Sequence, residues 1–343
     1  MIQNLLLPIR SRWLLLAPAI FLMVSTGCHP AGTDRESSPE ARKPFLMKGE
    51  LIIFHAGSLA VPFREMATAF NELYPDVRIK TEAGGSLASA RKITDLKRPC
   101  DIIAVSDYRV IDELLIPEFA SWNIKFAANE MVIAYTEKSK YRAMIDSLNW
   151  HQVLLKEDVR FARSDPNQDP CGYRTVQTFL LAEKHYQRPG LAGLLKSKDN
   201  QYIRPKEVDL IALLETSTVD YVFNYRSVAR QHQLAFIGLP EEINLKSPGL
   251  ADLYATVSTE INGREPGQLI TLTGEPMLYS LTILKDAPSG TIAQAFVEFA
   301  LSARGQQILE SCGQPSVIPA ASASYDQIPE RFKAYARRET GGG

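Results

Sequence analysis

A chain of 343 residues, 45% hydrophobic and 22% charged, has the composition of a soluble folded protein and the length of about two globular domains, with enough core to do without metal or disulfide staples. Its 38 lysines and arginines nearly match its 39 aspartates and glutamates, and the formal net charge of −1 lacks the basic surplus of a sequence-independent nucleic-acid binder. Four cysteines are too few for a disulfide scaffold, and neither long disorder nor a repeat array fits.

Residues 1–27 carry Arg10 and Arg12 and no acidic residue. The apolar run Trp13–Val24, interrupted by Pro18, makes about 18 Å of helix, short of the roughly 30 Å of a bilayer core. A basic start, a short apolar stretch and small residues read as a secretory signal peptide over 1–27. The stretch Val24-Ser25-Thr26-Gly27-Cys28 resembles a bacterial lipoprotein processing site, with Ser25 where leucine is usual. Cys28 is therefore expected to carry a lipid anchor; an ordinary cleaved signal with an incidental cysteine is the alternative. Residues 28–48 are polar and contain Pro, Gly and Ser, the composition of a tether. The expectation is a monomeric extracytoplasmic domain, in the periplasm or at the cell surface, held to a membrane.

Past the tether, Leu51–Phe54 is a short apolar run that predicts a buried strand, and Leu59, Phe63, Met66, Phe70 and Leu73 recur at helical spacing. Val77–Thr81 alternates as a strand, Ser86–Leu96 reads as a helix, Asp101–Val105 as a strand and Asp107–Leu115 as a helix. A second set follows: strands at Met131–Tyr135 and Val159–Ala162, helices at 172–185 and 207–214, a strand at Tyr221–Phe223 and a helix at 226–233. Strands at 269–273 and 277–284 and helices from Thr291 to Ser311 close the pattern. Strand–helix alternation predicts α/β lobes with parallel sheets covered on both faces. The strands containing Met131 and Tyr279 are the expected crossings between lobes, and residues 331–343, with Arg337, Arg338 and Gly341–Gly343, read as a tail.

Three strand-to-helix turns share one feature. His55-Ala56-Gly57-Ser58, Gly84-Gly85-Ser86 and Asp169-Pro170-Cys171-Gly172 each place glycine, and two of them serine, where a helix begins. In open α/β sheets ligands bind at the carboxyl ends of strands, and free N–H groups at helix starts attract anions. Glycine admits close approach and serine adds a hydroxyl donor. Each serine alone is equally well an N-cap. His55, Ser58 and Asp169 lack the G-x-S-x-G elbow of a hydrolase triad, and histidines 29, 55, 151, 185 and 232 lack metal-ligand spacing.

The stretches His55–Phe63, Arg91-Lys92-Ile93, Asp101–Tyr108, Asn129–Thr136, Asp169–Arg174, Arg204–Glu207 and Tyr225–Ala229 come in an order that resembles the archaeal-type tungstate/molybdate substrate-binding proteins of ABC transporters, over most of residues 50–320. The resemblance implies a two-lobed type II periplasmic-binding-protein fold of the α/β class with a ligand cleft between lobes. Residues 49–130 and 279–330 would form one lobe and 131–278 the other. It implies an oxyanion whose metal centre is made six-coordinate by two carboxylates, roles that the motifs put on Asp169 and Glu207. Gly57, Ser58 and Ser86 match donors to the oxo groups. Pro170 and Cys171 match a loop against the anion, with the Cys171 N–H as a donor, and Tyr225 matches an aromatic hydroxyl. The implied partners are ABC permease and ATPase subunits, with no cofactor and no catalysis.

Two carboxylates beside a dianion are informative because they should repel it, by about 4 kcal/mol per pair of unit charges at 4 Å with an effective dielectric near 20. Sulfate and phosphate offer no compensating bond, whereas tungsten(VI) and molybdenum(VI) can accept two more oxygens. Coordination would bind the right anion and exclude the wrong ones. The bland alternatives are an N-cap for Asp169, an exposed first-turn glutamate for Glu207 and core filler for Tyr225. At the level of function the alternatives are a sulfate-like oxyanion bound by hydrogen bonds alone, or a ligand-sensing ectodomain. Cys100, Cys171 and Cys312 remain: a disulfide could join two of them, Cys171 with Cys312 first, and buried free thiols are the other outcome.

Overall fold

The computed structural model describes residues 47–263 and 267–339. The expected signal peptide, Cys28 and nearly all of the tether lie outside them. The chain runs β1 (Gly49–Ala56), α1 (Ala60–Leu73), β2 (Val77–Gly84), α2 (Ser86–Thr94), β3 (Ile102–Val105), α3 (Arg109–Leu114) and β4 (Ile124–Ala128). It continues through β5 (Met131–Tyr135), α4 (Trp150–Leu154), β6 (Phe161–Ala162), α5 (Pro170–His185), α6 (Leu191–Ser197), α7 (Asp209–Glu215), β7 (Tyr221–Tyr225), α8 (Arg226–Gln231), β8 (Ala235–Gly238), α9 (Ala251–Tyr254), β9 (Ser258–Asn262) and β10 (Leu269–Thr273). The return comprises β11 (Leu278–Ile283), α10 (Gly290–Leu301), α11 (Ala303–Ser311), β12 (Ala320–Ser322) and β13 (Ala336–Arg338).

Two main sheets result, of order β2-β1-β3-β11-β4 and β6-β7-β5-β8, each centred in its own lobe, here lobe I and lobe II. Packed helices cover both faces of β1, so its last four residues are all buried, as a central parallel strand requires. Leu51, Ile53, Phe63, Met66 and Phe70 pack with Phe296 of α10 on one face of the first sheet; Phe54, Ile103, Leu87 and Val110 fill the other. In lobe II, Trp150, Phe161, Phe179 and Phe223 pack edge to face.

The sheets are mixed rather than parallel. β1 runs parallel to β2 and β3, and β6 to β7, but β11 is antiparallel to β3 and β4, and β5 to β7 and β8. The cause is the route of the chain: β5 and β11 are the strands entered directly from the other lobe, without the crossover helix that enforces parallel pairing. The strands containing Met131 and Tyr279 therefore do not themselves cross. Met131 opens β5 and Tyr279 lies in β11, and the crossings are the short segments before them, after β4 and after β10. β4, which the apolar pattern did not predict, ends at the first crossing.

Residues 331–339 also differ from the expected tail. Phe332 is fully buried in the lobe I core, its ring 5.7 Å from that of Trp122, and Ala336–Arg338 pairs in parallel with β12, so Arg337 and Arg338 lie in a strand. A short polar segment carrying one buried aromatic gives too little periodicity to be seen in sequence. Phe332→Ala should cost about 3–5 kcal/mol of unfolding free energy, measured as a lowered urea midpoint; a change under about 1 kcal/mol would mean that the segment is not docked. Cys100, Cys171 and Cys312 are buried free thiols, which settles the disulfide question against the Cys171–Cys312 pair.

Candidate functional site

The three turns meet between the lobes. Ser58 lies in the 3-10 turn Gly57–Leu59 between β1 and α1, and Ser86 is the first residue of α2 after the cap Gly85. Neither serine caps its helix; both hydroxyls are buried and bonded elsewhere. Asp169 is the N-cap of α5, with Pro170 in the first turn, but its Oδ1 accepts the Cys171 N–H only at 3.4 Å. Glu207 precedes α7 and is fully buried, not the exposed first-turn residue of the alternative reading.

Asp169 and Glu207 come together because the edge of β6 is prolonged. Ser164 bridges Arg204, Asp165 N–H donates to the Arg204 carbonyl at 2.8 Å, and the two loops that follow run to the two carboxylates. Asn224 at the end of β7 donates to the Glu207 carbonyl at 2.9 Å. Glu207 Oε1 crosses to lobe I and accepts the Ser58 N–H at 2.5 Å. Asp169 Oδ2, Glu207 Oε2 and the Ser164 hydroxyl are buried and face one another, but none makes a well-aligned hydrogen bond among the described residues. Burial pushes both carboxyls above the ordinary carboxylate range, and for Asp169 the neighbouring Glu207 charge adds to it.

Two glycines stand where the lobes approach each other. A Cβ on Gly57 would stand 3.0 Å from both Glu207 carboxylate oxygens. A Cβ on Gly85 would stand 2.3 Å from the Gln168 carbonyl oxygen and 3.0 Å from that of Pro205. Gln168 and Pro205 belong to the loops leading to Asp169 and Glu207, so the lobes touch here; the Ala88 N–H donates to Gln168 O at 3.1 Å.

Tyr225 ends β7 with its hydroxyl 3.4 Å from Ser106 Oγ and 3.4 Å from Arg174 Nη1, both buried at the same place. Its ring is part of the lobe II core, while its hydroxyl reaches these two polar groups. Burial raises the Cys171 thiol well above its usual value, so it is inert, and its N–H remains the group of interest. His55 turns away, donating from Nδ1 to the Ala56 carbonyl at 2.8 Å; burial lowers its pKa to about 4, so it is a neutral wall residue.

Sequence reasoning missed Tyr279, Asn129, Ser106 and Ser164 as site residues. Asn129 Nδ2 donates to Tyr279 OH at 2.9 Å and to Ser227 Oγ at 2.7 Å, and Tyr279 OH lies 2.9 Å from Ser58 Oγ. With Tyr279 accepting from Asn129 and donating to Ser58, the Ser58 hydroxyl proton is left to point elsewhere. Ser106 N–H donates to Ser86 Oγ at 3.1 Å and Ser106 Oγ lies 3.3 Å from it, so the Ser86 proton points elsewhere when Ser106 Oγ is the donor of that contact. Asn129 and Ser106 sit in the stretches Asn129–Thr136 and Asp101–Tyr108, but only the tertiary pairing gives them a partner.

A family profile described as bacterial extracellular solute-binding protein matches residues 51–313. An uncharacterized solute-binding protein of Petrotoga mobilis is 48% identical over 290 residues, covering 84% of this chain and 90% of its own. The molybdate/tungstate-binding protein WtpA of Pyrococcus abyssi is 38% identical over 341 residues, covering 92% and 94%. Among solved structures, the periplasmic molybdate-binding protein of Azotobacter vinelandii aligns with a TM-score of 0.57 at 16% identity, over 78% of this chain and 99% of that one. The sulfate-binding protein SubI of Mycobacterium tuberculosis aligns with 0.58 at 13% identity, over 84% and 94%. These two show the shared fold, and because they bind different oxyanions the fold does not choose the ligand.

Proposed function

Because this chain belongs to the bacterial extracellular solute-binding protein family, we propose that it captures tungstate or molybdate outside the cytoplasm and delivers it to an ABC importer. Members of that family are binding proteins of transport systems rather than enzymes. The observation that carries the ligand reading is the pair Asp169 and Glu207: two buried carboxylates, each with one oxygen that makes no well-aligned hydrogen bond among the described residues, within reach of each other's charge. Burying two anions together is costly unless something cationic in character accepts their lone pairs. The tungsten or molybdenum atom of a tetrahedral oxyanion does so and becomes six-coordinate.

The remaining groups suit the oxygen shell. The hydroxyls of Ser58 and Ser86, each already accepting or able to accept a bond from its own lobe, have protons to donate to oxo groups. The Ser58 and Cys171 N–H groups, now on Glu207 and Asp169, are donors beside them, with Tyr225 and the Ser164 hydroxyl at the rim. Gly57 keeps the Glu207 carboxylate close, and Pro170 holds the first turn of α5. In this reading 49–130 and 279–330, extended by the docked C-terminal segment, form lobe I, and 131–278 form lobe II. A chain lipidated at Cys28 and working as a monomer would present the cleft to permease and ATPase subunits. Among the described residues no helix is long and apolar enough to cross a membrane.

Isothermal titration with tungstate, molybdate, sulfate and phosphate tests this. Tungstate and molybdate should bind at least about 100-fold more tightly than sulfate, since only they gain two metal–oxygen bonds against the repulsion. Equal affinity for sulfate would overturn the coordination reading and favour a binder that works by hydrogen bonds alone.

A further inference from the structure

We propose that Arg174 is the latch of the cleft: a positioning residue that ties lobe II to lobe I when the anion is enclosed and holds the loop that aims the Ser86 hydroxyl. This rests on the anion-binding reading above. Arg174 stands one turn into α5 from Asp169 and, at 1% exposure, is the most completely buried cation among the described residues. A guanidinium so deep costs several kcal/mol unless it is paired and hydrogen-bonded. Its Nη1 donates to the Ser106 carbonyl at 2.6 Å and to Tyr225 OH at 3.4 Å, and its Nη2 is ion-paired with Asp107 Oδ2 at 3.1 Å without a well-aligned hydrogen bond.

Ser106 and Asp107 follow β3 in lobe I, whereas Arg174 and Tyr225 belong to lobe II, so the Arg174 contacts to Ser106 and Asp107 span the cleft. The neighbouring Tyr173 OH also crosses, donating to Asp107 Oδ2 at 2.5 Å. Arg109, on the lobe I side, holds Asp107 through Nη2 at 3.0 Å and reaches Glu275 through Nε at 2.8 Å. Glu275 lies in the second crossing and accepts from Tyr108 OH at 2.8 Å, so the network runs from the cleft to the hinge segment. Opening the lobes leaves Asp107 paired with Arg109 but takes from Arg174 its counter-charge and the Ser106 carbonyl. Only the closed state brings Arg174 to its counter-charge and to the Ser106 acceptor.

The same contact reaches the ligand donors. Arg174 fixes the carbonyl of Ser106, whose N–H occupies a lone pair of Ser86 Oγ. A ligand enters before the latch forms and leaves only after it breaks, so the latch governs escape and not entry.

The test is the rate of tungstate dissociation, by chasing labelled tungstate with an excess of unlabelled, together with the association rate, for the full chain and for Arg174→Met, Arg174→Lys and Asp107→Asn. Arg174→Met should raise the dissociation rate at least about tenfold and change association less than about twofold. Arg174→Lys, which keeps the charge but loses the fork, should fall between. Arg174→Met combined with Asp107→Asn should release tungstate more slowly than the product of the two single effects, because both changes remove the same contact; a full product would overturn the shared latch. Unchanged dissociation in Arg174→Met, or an effect confined to association, overturns the latch. If Arg174→Met does not fold, Arg174→Lys and Asp107→Asn decide, and wild-type dissociation in both overturns it. Wild-type protein that fails to bind tungstate at all instead overturns the ligand reading beneath it.

Discussion

Replacing both Asp169 and Glu207 by alanine should weaken tungstate capture by at least about 10³-fold, roughly 4 kcal/mol, while leaving the far-ultraviolet circular dichroism unchanged. Both side chains lie at the ends of loops and fill no hydrophobic core, so the loss is of ligand bonds. The single change Asp169→Asn makes the same point from the opposite side. In the closed chain burial and the facing Glu207 hold the Asp169 carboxyl above its ordinary range. An acid whose folded pKa is raised binds its proton more tightly folded than unfolded. Its contribution to stability is therefore fully present below the unfolded value, near 4, and is lost as pH rises through the folded value. Above the unfolded value the pair therefore opposes closure of the ligand-free protein, through repulsion or through the cost of taking up a proton. Asp169→Asn should raise the ligand-free melting temperature, by about 2–4 °C for each kcal/mol relieved, and flatten its decline with rising pH, while binding is lost. A variant that loses stability and keeps affinity would contradict this.

Gly85→Ala should be nearly as damaging, from a residue that contributes no donor side chain. The backbone of Gly85, at φ −59° and ψ 138°, suits alanine, so lobe I folds normally. The added methyl would stand 2.3 Å from Gln168 O, 2.9 Å from Gln168 C and 3.0 Å from Pro205 O. These are backbone atoms of the two loops that bring Asp169 and Glu207 to the site, and they must retreat together. We expect tungstate affinity to fall by at least about 100-fold, with an unchanged urea midpoint for the ligand-free protein. Small-angle scattering should show no compaction of the variant on adding tungstate. Wild-type affinity would mean that the lobes do not close through this contact.

What could be read from sequence followed local chemistry. Strand–turn–helix alternation located Ser58, Ser86 and Asp169 because each sits where a sheet hands over to a helix. Glu207 and Tyr225 came with the family resemblance, and the structure sets Glu207 against Ser58 across the cleft and Tyr225 beside Ser106. Tyr279 was legible only as part of an apolar strand; its role appears when β11 returns beside β4 and meets Asn129, 150 residues earlier in the chain. Arg174 closes the Asp169–Arg174 motif and had no role there, since nothing local says that its partners are Ser106 and Asp107. The antiparallel strands β5 and β11 were illegible for a related reason: strand direction follows from the route between lobes, which a period of two does not encode. Leu73, placed on the buried face of α1 by its spacing, is 49% exposed because the helix runs past the edge of the core.

Selective capture of tungstate or molybdate depends on a bond between protein carboxylate oxygens and the metal atom of the anion. X-ray absorption at the tungsten edge of the tungstate complex in solution counts the oxygens around the metal. Six oxygens in two sets, four close and two longer, the longer pair vanishing in the Asp169→Ala, Glu207→Ala protein at saturating tungstate, is the predicted result. Four equivalent oxygens in the wild-type complex, the unaltered tetrahedral anion, would contradict it.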